Sequence, residues 1–409
     1  MENSVYDIWL SLHMPTGKPW AAKLIDTFGD AYEIFRAEPD DLARTGLAEK
    51  VLTYLSYKEL DNAFGVLKIC ERQGIDIIPY GSPEYPSRLA GIDTPPAVLY
   101  VKGRIPQTRK YAAVVGTRRM SVAGMSAALR LSSGLAAGGC TVVSGLAIGI
   151  DGVAAAAAIR AGGQTVAVLG CGADIVFPEE HSALARAVTE NGAIVTEYPP
   201  GTLPLSPHFP ERNRIISGMS DAVTVVEGGY HSGSVITGHA ALAQNRKLFC
   251  VPGDFGKASC SGSNLLFREG AAVALDAGDV LGYFEETDPG SVDIPGYSES
   301  ASRPAPDPGI LAEYGVAAAN DTAPETAPPP KKRASPVRKE TPEPEAEEKK
   351  LPPEGRLRDF WSAIPDGQKV GAESFAKSGY GVNESMNLLS MLEISGFVKS
   401  VPGGMFEKI

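Results

Sequence analysis

From residue 110 onward the sequence alternates short, continuously apolar runs with alanine-rich stretches, and this spacing constrains the fold more than any other feature. The runs are AAVVG (112–116), TVVSG (141–145), TVAVLG (165–170), AIVTE (193–197), AVTVVE (222–227) and LFCVPG (248–253). β-rich runs about 25–30 residues apart, with helical stretches between them, predict strands joined by crossover helices and hence a doubly wound parallel sheet. Apolar residues at successive positions predict strands covered on both faces.

The flanks read differently. Within an expected helical domain at 1–75, residues 3–75 carry helical periodicity through Trp9, Leu10 and Leu12, then Leu24, Ile25 and Phe28, then Leu42, Leu47, Val51, Leu52 and Leu55, with no strand pattern. Helix, glycine stop and new helix at DLARTGL (41–47) fit a SAM-like or helix-hairpin-helix-like module, or a plain helical cap. Residues 76–285 form the expected Rossmann-like domain. Residues 286–353 hold 14 of the 32 prolines and mixed charge blocks such as EPEAEEKK (343–350). A segment so poor in large apolar residues cannot offset its ordering entropy, so a disordered linker is expected. Residues 354–409 read as helix (357–363), helix (372–378), a turn at Gly379–Gly381, a helix from Asn383 to Ser395 and a hairpin turning at Pro402-Gly403-Gly404, the order of a winged helix.

At 409 residues two or three domains are expected. The net charge of −11 argues against gripping nucleic acid by bulk positive charge. The acidity is uneven: residues 76–285 hold 16 Lys and Arg against 17 Asp and Glu, whereas residues 1–75 hold 8 against 12 and residues 286–350 hold 8 against 13. Five cysteines without a C-x-x-C pair disfavour a disulfide framework or a zinc site and fit a reducing compartment. No basic-then-apolar leader opens the sequence and no apolar run approaches the ~18 residues of a membrane helix, so a soluble, cytoplasmic protein is expected.

Four stretches at predicted strand ends carry the chemistry. VVGTRRMSVAG (114–124) is strand, glycine turn and helix start, where Gly116, Thr117, Arg118, Arg119 and Ser121 meet free amides and a helix dipole that favour an anion. SGLAIGID (144–151) places Ser144, Gly145, Gly149 and Asp151 at the next strand end, with Asp151 free to orient Arg118 or cap the helix that follows. HFPERNRIISG (208–218) follows a Pro-bounded loop ending at Phe209-Pro210 and sets Arg212, Asn213 and Arg214 at a helix start, where guanidiniums bind phosphate or carboxylate. Phe209 taken alone reads as a core residue; exposed beside these guanidiniums, a ring is what single-stranded nucleic acid uses, bases stacking while the backbone is neutralised. GGYHSGSVITG (228–238) offers His231, Ser232, Gly233, Ser234 and Thr237 as a small-residue anion nest. The dinucleotide fingerprint and the phosphate-binding G-x-x-x-x-G-K-[ST] loop are both absent, which disfavours NAD and ATP; no cofactor is expected.

Taken together, these stretches resemble the DprA family, also called Smf, strongly over residues 80–280. The resemblance implies a non-catalytic, cytoplasmic single-stranded DNA-binding protein that loads RecA recombinase during natural transformation and dimerises through the Rossmann-like domain. Two positions depart from the family: many relatives carry Arg where Ile148 stands, and Lys or Arg where His231 stands. The glycine-rich turn at 228–238 also resembles that of phosphoribohydrolases, whose G-G-x-G-T-x-x-E loop ends in a catalytic carboxylate. Here Ile236, Thr237 and Gly238 occupy that region, which leaves a nucleotide hydrolase as the alternative without its acid, and a nucleotide sensor as a third reading. His231 beside Ser232 lacks the G-x-S-x-G elbow of a hydrolase.

Overall fold

A computed structural model describes residues 4–287 and 309–317, and from the C-terminal region residues 356–365, 368–371, 374–375, 385, 388–389, 392, 397–401 and 405–408. The chain divides into two compact units, Met1–Ala327 and Pro328–Ile409.

The first unit opens with six helices and no strand: α1 (Ser4–His13), α2 (Trp20–Phe28), α3 (Ala31–Arg36), α4 (Pro39–Ala43), α5 (Glu49–Ser56) and α6 (Asp61–Gln73). Ile8, Trp9 and Leu10 of α1 are buried in the same apolar cluster as residues of the sheet, and Ser11 Oγ lies 2.9 Å from the Tyr100 hydroxyl. The helical segment therefore shares its core with the sheet.

Next come β1 (Ile75–Pro79), α7 (Ser87–Ala90), β2 (Val98–Gly103), β3 (Tyr111–Val115), α8 (Val122–Ala137), β4 (Thr141–Ser144), α9 (Ile150–Arg160), β5 (Thr165–Val168) and α10 (Ser182–Glu190). They are followed by β6 (Gly192–Thr196), α11 (His208–Gly218), β7 (Ala222–Val225), α12 (Gly233–Ala243), β8 (Lys247–Cys250), α13 (Ser261–Leu266), β9 (Ala272–Val273) and α14 (Ala277–Thr287). The strands form a nine-stranded sheet in the order β1-β2-β6-β5-β4-β3-β7-β8-β9. The six strands expected from the apolar runs are all present and parallel, and their residues from Tyr111 to Val115, Thr141 to Ser144 and Ala222 to Val225 are buried throughout. The antiparallel β1 and β2 and the two-residue β9 were not anticipated; they extend the two edges.

Strand order reverses at β3, whose neighbours are β4 and β7. In open α/β sheets a crevice opens beyond the carboxyl ends of strands at such a switch point. The turns after β3, β4 and β7 all meet there.

α9 reads IDGVAAAAAIR, and every residue from Ile150 to Ala158 is buried. A helix apolar on all sides must be covered on all sides. The sheet, α8 and α10 cover most of it. One further piece comes from a short helix, α15 (Ile310–Glu313), which packs on α9. It lies inside the stretch 286–353 expected to be an unstructured linker, so residues 309–317 depart from that expectation.

In the second unit the described residues comprise α16 (Arg356–Ser362), β10 (Lys369–Val370), β11 (Val398–Val401) and β12 (Met405–Lys408), with strand order β10-β12-β11. Phe360, Ile364, Val370, Phe375, Leu389, Leu392, Val398 and Phe406 form its core. β11 and β12 are the arms of the expected hairpin. Its Pro402-Gly403-Gly404 turn, the Gly379–Gly381 turn and most of the helices expected at 372–378 and 383–395 lie outside the described residues. Among the described residues no helix is long and apolar enough to cross a membrane, and all five cysteines are free and buried.

Candidate nucleic-acid interface

The turn after β3 is pinned from two sides. Gly116 N donates to Asp151 Oδ1 at 3.3 Å and Thr117 N to the Glu227 carbonyl at 2.8 Å. A Cβ at Gly116 would collide with Ile150, so only glycine lets this turn lie against α9. Gly116 and Thr117 are half-buried, while Arg118 and Arg119 are exposed. The Arg118 guanidinium stands 5.2 Å above the centroid of Phe209.

Ser121 caps α8 by accepting from Gly124 N at 3.0 Å. The anion that this helix start attracts is the protein's own. Glu227, buried at the end of β7, accepts from Ser121 N at 2.9 Å and from Ser121 Oγ at 3.1 Å. Its other oxygen, Oε1, is buried without a hydrogen-bond partner. In place of the phosphate that the sequence pattern predicts at Ser121, its amide and hydroxyl face this carboxylate, because β7 neighbours β3 and brings residue 227 over the α8 terminus.

The turn after β4 is an internal support. Ser144 is buried and its Oγ donates to the Val114 carbonyl at 2.7 Å, which takes it out of reach of a ligand. Gly145 is also buried, and a Cβ there would strike both the Arg212 guanidinium and the Asp151 carboxylate. Gly149 adopts φ +90°, which lets the chain pass the Thr117 carbonyl. Burial pushes the Asp151 carboxyl up to about 6, against the pull of the Arg212 guanidinium and of the Gly116 and Gly145 amides.

α11 begins at His208, so Phe209 and Pro210 lie in its first turn and not in the preceding loop. Proline is tolerated there because the first-turn N–H groups have no intrahelical acceptor. Phe209 is half-buried, tilted against Phe177 with centroids 5.6 Å apart. Arg212, expected beside a phosphate, is only 3% exposed. Its Nη1 donates to the Gly145 carbonyl at 2.9 Å and to the Val168 carbonyl, and its Nε to Asn213 Oδ1 at 3.2 Å. Asn213 is likewise buried, its Nδ2 donating to the Gly233 carbonyl at 3.1 Å.

Arg214 points to the opposite side of α11. It donates to the Thr94 carbonyl at 2.7 Å and pairs with Glu197, whose burial raises its carboxyl to about 7. Beside it Glu211 accepts from Thr16 Oγ1 at 2.7 Å and from the Tyr198 hydroxyl at 3.0 Å, which ties α11 to the α1–α2 loop. The three polar residues expected to act together thus do three jobs: a buried brace, a link to the 228–238 turn, and an anchor on the far face.

After β7, Ser232 caps α12 and exchanges a 2.9 Å hydrogen bond with Ser234, which is buried and donates to the Glu227 carbonyl at 3.4 Å. His231 and Gly233 are exposed. Tyr230 is 62% exposed and meets the His231 ring edge-on at 4.9 Å.

The surface that emerges at the switch point carries Arg118, Arg119 and His231, the half-buried Phe209, and exposed apolar groups from Ile148, Val176, Phe177 and Tyr230. Sequence reasoning missed Phe177, Tyr230 and Glu227. The available signals were an apolar pair, Val176-Phe177, in a loop past a strand end, and an acid closing the apolar strand TVVE.

A large, mostly parallel sheet with helices packed on it, whose switch point carries glycine turns, paired exposed arginines and a ring under a guanidinium, defines a mixed α/β protein with an exposed cationic and aromatic surface at the carboxyl ends of its strands. The family model of DNA recombination-mediator protein A matches residues 76–285, and this chain belongs to that family. DNA processing protein DprA of Bacillus subtilis is 40% identical over 223 residues, 54% of this chain and 74% of that protein. Protein Smf of Escherichia coli is 37% identical over 245 residues, 59% of this chain and 65% of that protein. The X-ray structure of DNA processing protein A (DprA) from Streptococcus pneumoniae aligns with 68% of this chain and 97% of its own, at 30% identity and a TM-score of 0.58.

Proposed function

We propose that this chain binds single-stranded DNA along the carboxyl edge of its sheet, without catalysis, and delivers it to RecA during natural transformation, acting as a cytoplasmic homodimer joined through the Rossmann-like domain. The observation that carries the binding reading is the exposed Arg118 guanidinium stacked over Phe209, beside Phe177. A single strand offers phosphate to the first and unstacked bases to the rings, whereas a duplex keeps its bases stacked inside. Direct contacts are assigned to Gly116, Thr117, Arg118, Arg119, Phe209, His231, Ser232 and Gly233. Ser121, Ser144, Gly145, Arg212, Asn213, Arg214 and Ser234 hold the turns that present them.

Binding is sequence-blind in this reading, since the turns offer phosphate donors and no array of base-edge donors. We further assign residues 1–75 to a SAM-like or helix-hairpin-helix-like module, 76–285 to the binding domain, 286–353 to a linker carrying the docked helix α15, and 354–409 to a winged helix. The test is fluorescence anisotropy with labelled oligothymidine and a duplex of equal length at moderate salt. The single strand is expected to bind more tightly; equal affinity sinks the reading. Purified RecA added to the DNA complex tests the delivery step by co-sedimentation.

A further inference from the structure

The stretch GILAEYGVA (309–317) is a compact apolar cluster in a region otherwise rich in proline, alanine and charge. Its backbone closes on itself. Val316 N donates to the Leu311 carbonyl at 2.9 Å and Gly315 N to the Ala312 carbonyl at 3.1 Å. These are the six-to-one and five-to-two bonds of a Schellman cap, in which the residue after the glycine packs on the one five positions before. Leu311 and Val316 are 1% and 3% exposed, so the cap delivers two neighbouring side chains into the apolar cluster to which α9 belongs.

Gly315 is required twice over. Its φ is +70°, and a Cβ there would collide with the Glu180 carbonyl in the turn before α10. Glu313 adds an ion pair with Arg160 at 3.6 Å, but both side chains are more than half exposed, and such pairs contribute little. Recognition therefore rests on the Leu311–Val316 pair, the left-handed glycine, and an α9 whose outer face needs a cover.

We propose that α9 and the 179–181 turn form a receptor for a short linear motif, leucine and valine five residues apart with glycine before the valine, occupied in cis by residues 309–317 of this chain. The helix is too short to be stable alone, so its order comes from the receptor. The segment can then leave and return as a unit. None of its residues belongs to the surface proposed to bind DNA, and the inference stands apart from that reading.

The test uses the full-length chain and a fluorescein-labelled peptide of residues 306–319. The wild-type chain, its receptor filled, is expected to bind the peptide at least tenfold more weakly than chains carrying Leu311→Asp or Gly315→Val, while a peptide carrying Leu311→Asp binds none of them. Equal peptide affinity for wild type and variants, or no binding to variants whose circular dichroism and urea midpoint match wild type, overturns the proposal. Loss of the cooperative urea transition in both variants also overturns it, because the segment would then be part of the core. Light scattering that shows both variants at half the wild-type mass would reassign the occupant to a second copy and overturn the cis arrangement.

Discussion

Arg212→Ala is the sharpest test of how the site is braced. The Arg212 guanidinium is buried, donates to the Gly145 and Val168 carbonyls, and opposes the desolvation that holds Asp151 at about 6. Without it the Asp151 carboxyl climbs further from its ordinary value of 3.8. A carboxyl raised in the folded state binds more protons there than in the unfolded chain. Its contribution is therefore fully present below the unfolded value and is lost as pH rises through the folded one. In wild type that loss is centred near pH 6 and levels off about a unit higher; in the variant it continues to higher pH, so the variant's deficit widens with pH. At pH 8 the deficit adds to the orphaned carbonyls a buried Asp151 carboxylate left without its cationic neighbour, about 3–5 kcal/mol in all. At pH 5.5 Asp151 is mostly protonated in both chains, and the orphaned carbonyls leave roughly 1–3 kcal/mol. Glu197, raised to about 7, titrates in both chains and cancels in the difference. Urea denaturation of the full-length chain at the two pH values, followed by far-UV circular dichroism, measures both quantities. A deficit under about 1 kcal/mol at both, or one that does not widen, refutes the argument, since a surface arginine at a phosphate would give that result.

Arg118→Ala leaves the urea midpoint unchanged but weakens single-strand binding and flattens its salt dependence, by about 0.7 in the slope of log K against log salt for one phosphate; an unchanged slope removes Arg118 from the DNA path. Phe209→Ala costs about 1–3 kcal/mol of binding, the range for one base stacked on a ring; anisotropy showing less than a twofold loss contradicts a stacking role. His231→Lys tightens binding chiefly at low salt, because an exposed charge is added beside the Ser232 turn; affinity that is the same at every salt concentration places the turn outside the site. Removing residues 286–409 is expected to retain most of the DNA affinity, because the candidate surface lies wholly within residues 116–233; a tenfold loss with the fragment still folded would bring the C-terminal unit into the site.

The parallel sheet and its glycine turns were legible because they rest on local properties. Continuous apolar runs mark strands buried on both faces, and a glycine at Gly116 or Gly149 marks a close approach whatever makes it. Side-chain direction around α11 was not legible. Successive helical residues turn by about 100°, so Arg212 and Arg214 face nearly opposite sides, and packing alone says that one braces Gly145 while the other reaches Glu197. The occupant of the α8 terminus was hidden for a related reason: Ser121 attracts an anion by its local geometry, but the carboxylate that answers lies 106 positions later and arrives only because β7 pairs with β3. The 309–317 helix shows the same limit in composition. Averaged over the stretch from 286 to 353 the composition predicts no packed structure, yet Leu311 and Val316 bury themselves because α9, more than 150 residues earlier, is an alanine helix with a face left to cover.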